Sequence, residues 1–331
     1  MERFALAAAV VLGFALTAAL CSLFVPLRRV LERREQNQQP VQPEQPRPAP
    51  LRAPLWGGLC AAAGTVAAVG VGWLAACVGQ PELLGSEGRL MTRLLTALAG
   101  SLAFGAVGLA EDLARMRSPA ALGLRRDVRL LLEALAAAFV LLLLQAAGCL
   151  PRGLDVPGAG YVLLGSAVPF LWAVLMVALA ECARVAERDE GAVCGAAFVA
   201  MLALMMVEAG LGVSGLAVLP AALAGALVAL LLWAFPPARL GVGCCGSLLA
   251  AGAIGCIPLS LDMTSLTVPL ALPFWAAGGL LAAQLLGAKR TGKPLRCWVK
   301  KHKMSPETVF LCSFALSAVG YVLALALLRW C

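Results

Sequence analysis

Apolar residues fill this chain in long runs, and polar residues are confined to the gaps between them. The runs fall near residues 4–26, 53–78, 90–110, 128–148, 160–181, 191–209, 212–235, 245–261, 265–287 and 307–330. A helix needs about 20 apolar residues to cross the hydrocarbon core of a bilayer, and these runs meet or approach that length. The pattern predicts an all-α polytopic membrane protein with ten transmembrane helices, built as a single integral membrane domain over residues 1–331. The first run outlasts the ~7–15-residue apolar core of a secretory signal, so it is read as a true first helix. Composition agrees: 61% of residues are hydrophobic and only 13% are charged, where a soluble domain carries about a quarter charged residues.

Charge then orients the spans. Basic residues crowd every second gap and the helix ends that face it. They are Arg28, Arg29, Arg33, Arg34, Arg47 and Arg52; Arg115, Arg117, Arg125, Arg126 and Arg129; Arg184 and Arg188; Arg239; and Lys289, Arg290, Lys293, Arg296, Lys300, Lys301 and Lys303. The other gaps and the two termini hold only Arg3, Arg89, Arg93, Arg152 and Arg329. By the positive-inside rule the basic gaps are cytoplasmic and both termini are extracytoplasmic. This asymmetry accounts for the net charge of +8 without a nucleic-acid partner.

Two gaps are long. Residues 27–52 are rich in Pro and Gln and are expected to form a flexible or extended cytoplasmic linker. Residues 288–306 form a basic cytoplasmic loop. It suits anionic lipid headgroups, although topology alone also produces such a loop. The 12 cysteines lie mostly alone inside apolar runs, with no C-x-x-C pair and His302 as the sole histidine. No zinc-type cluster is expected from the usual ligands, and the cysteines read as small hydrophobes.

Candidate chemistry gathers in the basic gaps. The third run is expected to end on adjacent carboxylates, Glu111 and Asp112. The macrodipole disfavours acids at a helix C-terminus, which points to a role such as binding a divalent cation. The arginines that follow suit a phosphate-plus-metal site and an ordinary membrane boundary about equally. In the gap after the fifth run, Glu187 and Glu190 share a face if the segment is helical; a solvated, salt-bridged loop is the alternative. Gly246 and Ser247 open the eighth run. There they serve either to bring backbone amides to an anion or to pack a tight turn.

These signals occur in a fixed order: Pro54-x-x-Gly57-Gly58, then Glu111-Asp112, Gly123-Leu124 and Arg129-Leu-Leu, then RVAERDEG at 184–191, then Pro236-Pro237 and GCCGS at 243–247, then Thr291-Gly292-Lys293 and CWVKKHKMSPE at 297–307. In order and topology the chain resembles the polyprenyl-phosphate N-acetylhexosamine-1-phosphate transferase superfamily, glycosyltransferase family 4, and within it the phospho-N-acetylmuramoyl-pentapeptide transferases. The resemblance implies a multi-pass protein of the bacterial cytoplasmic membrane. It implies transfer of a sugar-1-phosphate from a UDP-sugar to undecaprenyl phosphate in cell-wall precursor synthesis, with Mg²⁺ as cofactor and a homodimer as the assembly. It assigns catalytic roles to Glu111, Asp112 and Glu187, and contacts to the bound groups to Arg129, Arg184, Gly246, Ser247 and His302. It places metal ligation at Glu190 and Glu111, with Cys244 at the position of a metal-binding aspartate, where a soft thiol substitutes poorly and is not expected to be a ligand of Mg²⁺.

The same alignment shows departures. Glutamates stand for aspartates at Glu111, Glu187 and Glu190, and Arg184 stands for an asparagine. Ala49 and Pro50 stand for a lysine pair, and the histidine-rich stretch keeps only His302. Two further readings therefore accompany an impaired or redirected transferase: a non-catalytic paralogue that binds the lipid carrier or an envelope-synthesis partner, and an unrelated transporter. The transporter reading ranks last, because the charges lie at helix ends rather than at a broken midplane.

Overall fold

The computed structural model describes residues 2–38, 56–79, 88–117, 123–156, 160–163, 165, 167–187, 191–213, 215–235, 239–286 and 305–330. Its helices are α1 (Glu2–Gln38), α2 (Gly57–Gly79), α3 (Gly88–Arg117), α4 (Arg126–Ala146), α5 (Ala167–Ala186), α6 (Ala192–Gly210), α7 (Val218–Ala234), α8 (Gly243–Ser260), α9 (Thr267–Leu270), α10 (Leu272–Leu286) and α11 (Pro306–Trp330). A two-stranded antiparallel hairpin, β1 (Gly153–Val156) and β2 (Gly160–Leu163), lies between α4 and α5 and pairs Gly153 with Leu163. Among the described residues, seven helices are long and apolar enough to cross a membrane. The molecule is a polytopic, essentially all-α membrane protein.

Several boundaries differ from the sequence expectation. Helix α1 continues to Gln38, so residues 27–38 of the expected linker are helical; the rest of that linker, and all but the end of the basic loop, fall outside the described residues. The fifth run is strand over 160–163, and its helix begins at Ala167. The ninth run is not one continuous helix. A 3-10 turn over Thr264–Leu266, then α9, then α10 follow one another, with Pro269 inside α9 and Pro273 in the first turn of α10. Proline removes a backbone donor and breaks a continuous helix.

Helix α8 is the axis of the bundle. Every residue from Gly243 to Ser260 is buried, as expected of a helix apolar all round. Helices α2, α3, α5 and α6 contact it. Small residues permit the approach, as is usual between membrane helices. A Cβ on Gly108 of α3 would collide with the backbone of Cys244, and one on Gly58 of α2 would collide with the backbone of Gly246.

Helix α4 shows how the outer shell is built. Its buried face carries Arg129, Glu133, Ala136, Ala137, Val140 and Leu144. The opposite face exposes Val128, Leu131, Leu135, Phe139 and Leu142. Charge points inward and large apolar side chains point outward, the reverse of a soluble amphipathic helix. Ionisable side chains in membrane segments face the protein interior in this way. The outer apolar faces of α5 (Phe170, Leu171, Val174) and α11 (Leu311, Val319, Val322) repeat the arrangement.

Candidate functional site

The site forms where α3 and α5 end and α4 and α8 begin. Glu111 and Asp112 do not end a helix: α3 runs on to Arg117, and both carboxylates are buried, at 2% and 1% exposure. The expected helix stop is corrected because partners on other helices receive these charges. Asp112 Oδ1 accepts from the backbone N–H of Cys244 at 3.0 Å, and Oδ2 from that of Cys245 at 2.9 Å. These are orphan amides of the first turn of α8, whose own N-cap residue, Val242, supplies no side-chain acceptor. Asp112 thus caps a helix 132 positions away in sequence, where the positive end of the dipole favours an anion.

The loop before α8 is held in place from the other side. Gly57 and Gly58, of the Pro-x-x-Gly-Gly motif, donate their amides to the carbonyls of Gly241 and Val242 at 3.2 and 3.0 Å. Gly243 has a φ of 70°, a left-handed turn that glycine adopts without steric penalty. Two motifs that read separately in the sequence therefore meet as one support for the amides that hold Asp112.

Arg115, one turn beyond the acidic pair, joins three carboxylates. Its guanidinium lies 2.7 Å from Glu111, 3.7 Å from Asp112, and 3.3 Å from Oε2 of Glu187. Glu187 stands just past the end of α5, its amide bonded to the carbonyl of Ala183. The thiol of Cys244 donates to Glu187 Oε2 at 3.1 Å. A second group adjoins the first. Arg129 Nε donates to Glu181 at 2.8 Å and lies 3.8 Å from Glu111, and Arg184 also pairs with Glu181. Glu133, one turn along α4 from Arg129, is fully buried with neither carboxylate oxygen hydrogen-bonded.

Of the residues named from sequence, Glu111, Asp112, Glu187, Arg129 and Arg184 fall together here. Glu190 and His302 lie outside the described residues. Ser247 Oγ donates to the carbonyl of Cys244 inside α8, and Gly246 packs on Gly58, so both shape the helix rather than face the carboxylates. Arg115, Glu133 and Glu181 belong to the cluster although no sequence motif marks them as site residues. Their signal is helical spacing: Arg115 is i+4 from Glu111, Glu133 is i+4 from Arg129, and Arg184 is i+3 from Glu181. Placing the helix end at the acidic pair conceals the first of these.

The cysteine reading also changes. Cys244 sits with Asp112 and Glu187, and their possible ligand atoms lie within 4.8 Å of one another. Among the described residues, one thiol and two carboxylates thus lie close enough together to offer ligand atoms to a single ion. Among the described residues of the site the carboxylates of Glu111, Asp112, Glu133, Glu181 and Glu187 outnumber the guanidiniums of Arg115, Arg129 and Arg184. A buried excess of negative charge is met by a cation or by bound protons.

Comparison with known proteins locates this arrangement. The family model described as glycosyl transferase family 4 matches residues 94–262, the stretch that holds every described residue of the cluster. The chain is 34% identical over 170 residues to the phospho-N-acetylmuramoyl-pentapeptide-transferase of Desulforudis audaxviator, a match covering 48% of this chain and 50% of that one. It therefore spans about half the length of that relative. Identity to the enzyme of the same name from Geobacillus kaustophilus is 25%, covering 88% of this chain and 86% of the relative. For that of Mycobacterium tuberculosis strain H37Rv it is 27%, covering 72% of each.

Proposed function

The chain belongs to glycosyl transferase family 4, and we propose that it handles the family's substrates at this cluster, as a membrane transferase that moves a sugar-1-phosphate from a UDP-sugar to a polyprenyl phosphate. By the names of its relatives, the group moved is of the phospho-N-acetylmuramoyl-pentapeptide type; undecaprenyl phosphate as the lipid and the bacterial inner membrane as the setting follow from the family resemblance. The observation that carries this reading is the convergence of the partly buried Arg115, Arg184 and Glu187 with the buried Arg129, Glu111 and Asp112 at one end of the bundle.

In the proposed reaction an oxygen of the lipid phosphate attacks the sugar-linked phosphorus of the UDP-sugar. A new P–O bond forms, the P–O bond to UMP breaks, and UMP leaves with the electron pair. Such a transfer depends on position and charge more than on covalent help from the protein. Arg115 and Arg129 offer planar, permanently charged donors to the diphosphate. Each is already engaged by carboxylates, so binding substrate means exchanging Glu187 or Glu181 for a phosphate oxygen. Glu187 is placed to orient the incoming lipid phosphate once Arg115 releases it.

The Mg²⁺ that the family implies fits these residues poorly. Mg²⁺ takes oxygen ligands in near-octahedral geometry at about 2.0–2.1 Å. Here Cys244 presents sulfur, a soft atom that a hard ion takes poorly, where an oxygen ligand is needed. No step is assigned to Mg²⁺.

That misfit favours a second reading, a non-catalytic paralogue that binds the lipid carrier or an envelope-synthesis partner. One experiment separates the two: release of UMP by the purified full chain from UDP-N-acetylmuramoyl-pentapeptide and undecaprenyl phosphate. The transferase reading expects release that falls at least about 100-fold in Glu187→Gln, a residue that caps no helix. No release, from a chain that binds undecaprenyl phosphate, establishes the second reading.

A further inference from the structure

We infer that Asp112, Glu187 and Cys244 form a site for a thiophilic divalent cation of the zinc class, in place of the magnesium site that the fold family implies. The inference shares its setting with the proposed transferase and adds the identity of the metal.

The geometry comes first. A carboxylate oxygen from α3, a carboxylate oxygen from the end of α5 and a sulfur from the first turn of α8 lie within 4.8 Å of one another. Three elements distant in sequence thus converge on one point, and the packing of Gly58 and Gly108 against α8 fixes the backbone that carries the sulfur. Asp112 and Cys244 are buried, while Glu187 is partly open, which leaves a route of access. The neighbouring Glu111 faces the same cluster through its bond to Arg115, and its second oxygen is buried without a partner. Such an oxygen is costly to bury unless something charged meets it.

Chemistry selects the ion. Sulfur with two carboxylate oxygens is a poor set for a hard ion and a good one for Zn²⁺ or Co²⁺. Three protein ligands with a fourth position left open is also the arrangement of reactive rather than purely structural zinc sites. Each oxygen of Asp112 uses one lone pair on an α8 amide and keeps another for the metal. Metal entry takes Glu187 and Asp112 from Arg115, which retains its 2.7 Å bond to Glu111. The thiol hydrogen now directed at Glu187 leaves as a proton: Cys–SH and M²⁺ give Cys–S–M⁺ and H⁺, with the proton released to solvent.

Cobalt provides the test, because a cobalt–thiolate bond gives a near-ultraviolet charge-transfer band that carboxylates alone do not. The full chain, purified in detergent with its thiols reduced, is titrated with Co²⁺, then challenged separately with Zn²⁺ and with excess Mg²⁺. The expected result is a band that saturates at one equivalent, is abolished by Zn²⁺ and is untouched by Mg²⁺. It is lost in Cys244→Ser and kept in Cys245→Ser. Cys244→Asp, which restores an oxygen, weakens Zn²⁺ binding by about 100-fold, as large as the usual loss of a supporting partner at a metal site. Absence of the band, or a band that survives in Cys244→Ser or vanishes in Cys245→Ser, overturns the inference. Monodispersity and thermal unfolding of each variant show that it folds, and Cys244→Asp serves if the serine variant does not. UMP release is measured on the same samples: a band without turnover removes the transferase and keeps the metal, and turnover without a band does the reverse.

Discussion

Asp112 carries two loads at once, and they separate by substitution. Its carboxylate closes the first turn of α8 through two charge-assisted hydrogen bonds, and it also faces Arg115. Asp112→Ala strands two buried amides and is expected to cost about 3 kcal/mol, since a bond to a charged group contributes about 1.5–3 kcal/mol. Asp112→Asn keeps one carbonyl acceptor and is expected to lose about half as much. Thermal unfolding in detergent measures both, and equal stability of the alanine variant and the parent would refute the capping role. Loss of activity in Asp112→Ala would therefore say little about chemistry, whereas Glu187 tests chemistry without unpinning a helix. Glu133 makes a complementary point. A fully buried carboxylate with no hydrogen bond is a standing cost to the fold. Its one-turn spacing from Arg129 places that cost beside the cluster rather than at random in the core.

At the scale of elements, the approach of α3 to α8 decides whether the site exists. Gly108→Ala drives a methyl group into the backbone of Cys244, so α8 must move and Asp112 must lose its amides. Overpacking of this kind costs about 1–3 kcal/mol. Gly70→Ala on α2 meets nothing within 4 Å and is expected to be neutral or to stabilise by up to about 1 kcal/mol, as a helical glycine replaced by alanine does. Opposite signs in unfolding temperature are the expected outcome, and a destabilised Gly70→Ala would show that helix packing here is not read from these contacts. The elements differ in how legible they are in sequence. Each of the ten apolar runs contains helix, because burying apolar length and satisfying every backbone group leaves a membrane chain little choice. The acidic pair misled on the end of α3, because its partners, the amides of Cys244 and Cys245, lie on a helix no local pattern connects to it. The 265–287 run misled in the other direction: its apolar content hides Pro269 and Pro273, which break it. Cys244 was legible as a departure from the family, but not as a neighbour of Glu187, since 57 positions separate them.

For the whole molecule, the decisive matter is which end of the bundle carries the cluster. Glu111 and Asp112 lie near the C-terminus of α3, Arg129 near the N-terminus of α4, Glu181 and Arg184 near the C-terminus of α5, and Cys244 at the N-terminus of α8. These four ends meet, as the ion pairs among them require. The hairpin and the Asp262 turn after α8 come together at the opposite end, where Tyr161 bonds Asp262. Most of the chain's basic residues belong to the gaps on the cluster's side. If those gaps are cytoplasmic, UDP-sugars, which are made in the cytoplasm, reach the cluster directly, and both termini lie outside. Reporter fusions decide it. Alkaline phosphatase, which folds only in an oxidising compartment, is expected to be active when joined after residue 331 or within residues 80–87, and inactive when joined within residues 118–122. A green fluorescent protein at the same three points is expected to give the inverse pattern. A fusion at 118–122 that is active as phosphatase would place the cluster on the outer face. Glu187, Cys244 and the arginines would then have no access to a cytoplasmic nucleotide-sugar, and the transferase reading would fall whatever metal the site holds.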